Sequence, residues 1–174
     1  MVATSPTGEH RQGGEPRWLN DEEEAAWRGL LLVHAHVTAL LTRQLAPTGL
    51  SLHDYGVLVL LSDSSDGSCR PFELGSTLGI EKTRLSHQLR RLEERGLVSR
   101  RRCPTDQRGW LIAITDAGRQ MLESAAPGHV EAVRDVFVDR LDEHQLRTMA
   151  EVAAAVLSGR DAEAACDEDD GSCP

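Results

Sequence analysis

The chain has 174 residues, of which 40% are hydrophobic and 27% are charged, and its formal net charge is −9 at pH 7. These values are ordinary for one globular domain, and no apolar run approaches the roughly 18 residues that a membrane span requires. Aromatic residues make up only 3% of the chain, which argues against aromatic cages and base-stacking platforms. The N-terminus shows no basic segment followed by an apolar one, so we expect a cytoplasmic protein without a secretory signal.

Two terminal segments have the composition of disordered tails. Residues 1–17 are rich in Gly, Pro, Ser and Thr, and residues 159–174 hold six acidic residues and one Arg. We therefore predict one folded unit over residues 18–158.

A long amphipathic helix is predicted at the start of this unit. Asn20 and Glu23 have the spacing of a capping box, and Pro47 and Gly49 end the helix. Its apolar surface covers two faces, as expected for a helix that packs on its own domain and on a second chain. The apolar positions are Trp27, Leu30, Leu31, Leu32, Val33, His34, Val37, Leu40, Leu41 and Leu45.

A helix-turn-helix is predicted next. Ser51 with Asp54 caps a second helix, and a polar loop over 62–68 separates it from a short helix over 72–78. In the short helix we expect Phe72, Leu74 and Leu78 to face the core.

A glycine turn joins that short helix to a longer one. Gly79 ends the short helix, Ile80 enters the core, and the longer helix runs from Glu81 to Arg95. Gly96 follows its end, at the position where a left-handed residue is favoured. This order of elements is typical of a helix-turn-helix.

The periodicity then changes from 3.6 to 2, which predicts a hairpin, that is, a wing. Its strands run from Leu97 to Arg102 and from Trp110 to Ile114, with turn residues between them. Thr115 and Asp116 start a further helix that is interrupted near Pro127 and Gly128, and Asp142 caps the last helix. The predicted fold is mainly α with a small β-wing.

Charge is unevenly distributed along the chain. The segment 70–109 contains ten basic and five acidic residues, a local net charge of +5, so the rest of the chain carries −14. One basic segment in an acidic protein favours a localised polyanion site, and a solvated basic face is the alternative.

The longer helix is the candidate for reading double-stranded DNA. With Leu85, Leu89 and Leu92 against the core, its outer face presents hydrogen-bond donors suited to base edges and phosphates in the major groove. We expect Arg95 to Arg102 to flank the duplex and contact phosphates. The donors on and beside the outer face are Lys82, Thr83, Arg84, Ser86, His87, Arg90 and Arg91.

The tip of the wing is the candidate for minor-groove contact. Arg108 stands at the apex of a short hairpin, and Asp106 can accept a hydrogen bond from its guanidinium and hold it in place. The alternative is a surface ion pair without a role in binding.

These elements together resemble the MarR (multiple antibiotic resistance regulator) family of transcription factors. The resemblance covers roughly residues 25–157. It lies in Gly49-Leu50-Ser51, in Glu73-Leu74 through Gly79, in the run Ser86 to Val98, in Asp106-Gln107-Arg108-Gly109 and in Leu111 to Arg119.

The resemblance implies a winged helix-turn-helix homodimer that binds a pseudopalindromic, inverted-repeat operator, most simply as a ligand-responsive repressor. It implies dimerisation helices over 18–48 and 116–158 and a winged helix-turn-helix over 51–115. Gln107 stands where many members have a second Arg, so one wing contact differs. The implied DNA-binding residues are Lys82, Thr83, Arg84, Ser86, His87, Arg90, Arg91, Arg102, Asp106, Gln107 and Arg108.

Many members of the family release DNA when a small aromatic compound or organic acid binds between the dimer helices and the winged domain. A carboxylate would favour Arg or His, and a ring would favour Trp or Tyr. The candidate ligand-binding residues are Trp27, Arg28, His34, His36, His53 and Tyr55, and core or interface packing is the alternative for Trp27 and His34.

Other function classes have weaker signals. The four cysteines show no C-x-x-C spacing and are expected to be free thiols, although the basic residues beside Cys103 would favour its oxidation. No nucleophile elbow, phosphate loop or metal-ligand spacing is present, so we expect neither an enzyme, a metal site nor a cofactor. A winged helix that binds another protein without specific DNA binding is the alternative function.

Overall fold

The computed structural model describes residues 16–103 and 109–158. The predicted tails, apart from residues 16 and 17, lie outside the described residues, and so does the wing tip over 104–108. The chain divides into two compact units, and the boundary lies after His34. None of the described helices is long and apolar enough to cross a membrane.

The first unit contains the beginning of helix α1 (Asp21–Leu45). The predicted capping box is confirmed, because the backbone N–H of Asn20 donates to Glu23 Oε2 and the N–H of Glu23 donates to Asn20 Oδ1, both at 2.9 Å. Four acidic residues in the first turn stabilise this end of the helix dipole. Trp27, Leu30 and Leu31 are each about half exposed, so this segment presents an apolar surface to solvent.

The second unit contains the rest of α1 and all later elements. These are α2 (Leu52–Asp63), β1 (Ser68–Cys69), α3 (Pro71–Leu78), α4 (Lys82–Glu94), β2 (Val98–Arg102), β3 (Trp110–Ile114), α5 (Asp116–Val136) and α6 (Glu143–Leu157). Short 3-10 turns follow α1 and α5. The side chains that are least exposed in its core are Leu45, Val57, Leu58, Leu61, Leu74, Leu92 and Ile112.

The helix-turn-helix consists of α3, a glycine turn and α4, as predicted. Gly79 has a φ of 63°, a left-handed conformation that an L-residue rarely adopts, and Ile80 after it is buried in the core. Gly96 has a φ of 70°, and the N–H of Leu97 donates to the carbonyl of Leu92 at 3.0 Å, which ends α4 and starts the wing.

The sheet has three strands where the sequence predicted two. β1 begins at the last residue of the predicted polar loop and pairs with β3 through Ser68 opposite Ala113, so the strand order is β1-β3-β2. The predicted hairpin is confirmed, with Val98 opposite Ile114 and Arg102 opposite Trp110. A two-residue strand carries almost no periodic signal, which is why the sequence did not reveal it.

Two further predictions are wrong. Phe72 is 58% exposed because it lies two residues, about 200° around the helix, from the buried Leu74. The break near Pro127 does not occur, since α5 continues through it. Ala125 is buried just before the proline and His129 packs on Tyr55 just after it, so tertiary packing on both sides outweighs the local cost of the proline.

Candidate nucleic-acid interface

Helix α4 has one buried and one exposed face, in the predicted rotation. Leu85, Leu89 and Leu92 are buried, and Gln88 is buried with them at 4% exposure. All of the predicted contact residues of this helix are exposed: Lys82, Thr83, Arg84, Ser86, His87, Arg90 and Arg91. The outer face can therefore present hydrogen-bond donors to a groove of DNA without a change in the fold.

The first turn of α4 is capped by an acid. The carboxylate of Glu81 accepts hydrogen bonds from the backbone N–H groups of Thr83 at 3.0 Å and Arg84 at 3.3 Å. These bonds hold the pKa of Glu81 below its usual value. The positive end of this helix dipole is thus already compensated, which leaves DNA recognition to the side chains.

Within the described residues, two arginines on the outer face make long ion pairs. Arg90 Nε lies 3.7 Å from Glu94 Oε1, and Arg91 Nη2 lies 3.8 Å from Asp54 Oδ1. Both arginine side chains are more than 60% exposed, so these pairs contribute little to stability and leave the guanidinium groups accessible. An exposed basic face weighs against the protein-interaction alternative, which would bury or neutralise these residues.

Other arginines of the basic segment are used to hold the domain together. Arg95 Nη1 donates to the carbonyl of Gly49 at 2.8 Å, and Arg100 Nε donates to Glu93 Oε2 at 3.1 Å. Arg101 Nη2 donates to Asp66 Oδ2 at 2.5 Å and to Ser68 Oγ at 2.6 Å. These three arginines thus bind their own chain, and the contact of the run from Arg95 to Arg102 with phosphates stays a prediction.

The base of the wing is well defined. The N–H of Cys103 donates to the carbonyl of Gly109 at 3.1 Å, and the Arg102 guanidinium lies 4.3 Å from the centre of the Trp110 ring. A cation–π contact of this kind limits the movement of Arg102. Asp106, Gln107 and Arg108 lie outside the described residues, so their contact with the minor groove stays a prediction.

An open groove of about 390 Å³ lies between the start of α2 and the outer face of α4. We call it the α2–α4 groove. His53, which was predicted to bind an effector, lies here beside the recognition residues. Sequence reasoning missed Ser51 and Gln88, although a glutamine within the apolar stripe of a helix is a usable signal. The groove is lined by Ser51, His53, Arg84, His87, Gln88, Arg90 and Arg91.

The remaining effector candidates are dispersed. Tyr55 is buried, with its ring centre 4.2 Å from that of His129. In the first unit, Trp27 is 53% exposed, Arg28 pairs with Glu24, and His34 is exposed. In the second unit, His36 is exposed. Among the predicted effector residues that the structure describes, Tyr55 thus makes an aromatic contact, with the half-buried His129.

The two described cysteines, Cys69 and Cys103, are free thiols, as predicted. Arg70 Nη2 donates to the buried Cys103 Sγ at 3.6 Å, so the start of α3 also places a cation beside this thiol. Burial raises the pKa of the Cys69 thiol, which lowers its reactivity. Cys166 and Cys173 lie outside the described residues. The described part of the chain contains no cluster of three potential metal ligands.

Comparison with known proteins shows the same architecture elsewhere. A family model described as "MarR family" matches residues 48–109. The structure of Sco3205, a MarR family transcriptional regulator from Streptomyces coelicolor in complex with DNA, is 39% identical, with a TM-score of 0.78. The match covers 84% of this chain and 92% of that chain.

Of two further matches, one is a structure with a bound ligand and the other is named a repressor. CouR from Rhodococcus jostii RHA1, bound to p-coumaroyl-CoA, is 27% identical with a TM-score of 0.69, and the match covers 78% of this chain and 92% of CouR. The HTH-type transcriptional repressor YetL from Bacillus subtilis is 33% identical over 100 residues. That match covers 58% of this chain and 60% of YetL, so the chain spans about three-fifths of this curated relative.

Proposed function

The chain belongs to the MarR family of transcriptional regulators, and we propose that it binds an inverted-repeat operator as a homodimer and acts as a ligand-responsive repressor. The observation that carries this proposal is the exposed donor face of α4. Its first turns would enter the major groove and contact base edges through residues such as Arg84 and His87, while Arg91, Arg102 and the wing would contact the backbone.

A second copy of the chain is the proposed partner for the terminal helices. Large apolar side chains remain exposed in both units, including Leu32 at 71% in α1 and Val156 at 72% in α6. Helices with apolar residues on their outer surface are stable in water when another surface covers them. A two-fold dimer would place two copies of α4 about one turn of DNA apart, roughly 34 Å.

A small aromatic compound or organic acid is the proposed effector. Support comes from the surroundings of Tyr55, where α2 and α5 pack together. The His129 Nδ1 atom beside Tyr55 is buried and has no hydrogen-bond partner in the described structure, and the same is true of Gln44 Oε1. The side chain of Gln44 lies close to Gly128, which precedes His129. Buried polar atoms normally have partners, and the polar group of a ligand would supply one.

The proposal is tested by fluorescence anisotropy of the purified protein on its own upstream DNA, with scrambled DNA as competitor, across a salt series. We expect competitor-resistant binding that saturates at two chains per duplex and a steep dependence on salt. If the protein binds its own upstream region and the neighbouring promoters no more tightly than it binds scrambled DNA, sequence-specific regulation is refuted. That result would favour the protein-interaction alternative.

Base reading has its own test on the operator found in this way. Arg84→Ala or Arg90→Ala should relax the preference at one base pair in each half-site, at about 1–3 kcal/mol per contact. The matched control is Arg147→Ala, an exposed arginine of α6 outside the basic segment. Uniform weakening on all sequences would instead assign the mutated arginine to the phosphates.

A further inference from the structure

The α2–α4 groove has the chemistry of an oxyanion site. Its lining includes three guanidinium groups, two imidazoles, a hydroxyl and an amide, and no described lining residue is acidic. The hydroxyl of Ser51 accepts a hydrogen bond from the N–H of Asp54 at 3.1 Å, which leaves its own proton for a ligand. Charged and neutral donors that converge on one open groove favour a phosphate-like group.

Gln88 supplies an independent observation in the same groove. Its side chain is 4% exposed, and its Nε2 has no hydrogen-bond partner in the described structure. A buried donor without an acceptor is costly, and an apolar residue would be expected at this position between Leu85 and Leu89. A glutamine here gains a role if an acceptor enters the groove.

Arg91 is oriented by a buried carboxylate beside the groove. Asp54 Oδ2 accepts the N–H of Ser51 at 2.9 Å in the α2 cap, and its Oδ1 lies 3.8 Å from Arg91 Nη2 without a direct hydrogen bond. Asp54 is 5% exposed, whereas the Arg91 side chain is 63% exposed. The acid thus attracts one edge of the guanidinium while the remaining donors stay available to a ligand.

From these observations we infer that the α2–α4 groove binds an oxyanion, and that its occupant in the DNA complex is one backbone phosphate per chain. This inference rests on the proposed DNA-binding function. The groove shares Arg84, His87 and Arg90 with the recognition face, so an occupant of the groove lies on the side that faces DNA. A phosphate held by Gln88 and Arg91 would fix the rotation of α4 in the major groove. His53, which lines the groove, is thereby reassigned from the effector site to the DNA interface.

The first test compares Gln88→Met and Arg91→Gln with the control Arg147→Gln on both operator and scrambled duplexes. Both groove variants should bind about tenfold more weakly, and the control should be unchanged. Arg91→Gln should also lower the salt slope by about two for the dimer, because each neutralised phosphate contributes about 0.9. Gln88→Met should leave the slope unchanged, because the amide is neutral. Circular dichroism verifies that each variant is folded.

The second test replaces single operator phosphates by neutral methylphosphonates. One position per half-site should weaken the wild type about tenfold and should have a much smaller effect on Arg91→Gln, since the charged partner of that phosphate is already lost. Equal weakening of both proteins at every position would overturn the inference. If the wild-type protein does not prefer its operator, the proposed function is refuted instead. The comparison of the salt slopes of Arg91→Gln and wild type on scrambled DNA would still show whether Arg91 contacts a phosphate.

A free anion is the other source of the same chemistry. Inorganic phosphate, added at constant ionic strength, is followed through the NMR signal of His53 and through release of DNA. We expect no saturable shift below millimolar concentrations, since a single phosphate lacks the contacts of the duplex. Saturable binding that releases DNA, without coupling between Arg91 and any methylphosphonate, would assign the groove to a soluble anion and overturn its assignment to DNA.

Discussion

Gly118 lies where the start of α5 packs closely against the wing, so Gly118→Ala is the most informative stability variant. A Cβ at this position would lie 2.2 Å from the carbonyl oxygen of Leu97 and 2.9 Å from Ile114 Cγ1. The Leu97 carbonyl is fixed, because it accepts hydrogen bonds from the N–H and the hydroxyl of Thr115, both at 3.1 Å. An added methyl group must therefore push the start of α5 away from β2.

The magnitude follows from these contacts. Overpacking by one methyl group costs about 1–3 kcal/mol, and weakening two hydrogen bonds adds about 1 kcal/mol. We expect the free energy of unfolding to fall by about 2–4 kcal/mol, and the melting temperature by roughly 5–15 °C for a domain of this size. Urea denaturation and thermal melts at one fixed protein concentration measure both quantities.

The matched control is Gly29→Ala. Apart from its chain neighbours and the backbone of its own helix, a Cβ at Gly29 meets no described heavy atom within 4 Å, and Ala is favoured over Gly inside a helix by up to about 1 kcal/mol. This variant should be neutral or more stable. A Gly118→Ala protein as stable as wild type would show that α5 can shift without cost, and the role assigned to the Leu97 carbonyl would be wrong.

Three further predictions concern the wing and the core. Arg108→Ala should weaken binding to all DNA sequences and lower the salt slope by about one unit per chain, about two for the dimer; an unchanged slope, with Arg147→Ala as control, would speak against insertion into the minor groove. Trp110→Leu should weaken DNA binding less than Arg102→Ala, because it removes the platform for the guanidinium but keeps its charge; the reverse order in anisotropy titrations would contradict the cation–π role. Burial lowers the pKa of His129, so the folded protein favours the neutral ring. The neutral ring therefore contributes fully to stability above the unfolded pKa of about 6.5, and this contribution decreases as the pH falls below that value. His129→Phe should flatten that decrease in urea denaturation between pH 7 and 5, and an unchanged pH profile would show that another group titrates.

The local sequence determined the elements of this protein. Capping boxes at Asn20, Ser51 and Asp142, and left-handed glycines at 79 and 96, act over three to five residues, so their effect can be read without knowledge of the fold. The leucine spacing of α4 likewise fixed which face is exposed, and with it the candidate contact residues.

Tertiary structure decided which of the basic residues also hold the domain together. Arg95 reaches Gly49 across 46 positions and Arg101 reaches Asp66 across 35, and no local pattern encodes such pairs. Short or strained segments also depended on packing, as the two-residue β1 and the unbroken α5 around Pro127 show. The α2–α4 groove is of the same kind, because Ser51 and Gln88 become neighbours of one site only when two helices pack together. Burial and convergence are properties of the folded chain, and they turn a list of donors into a binding surface.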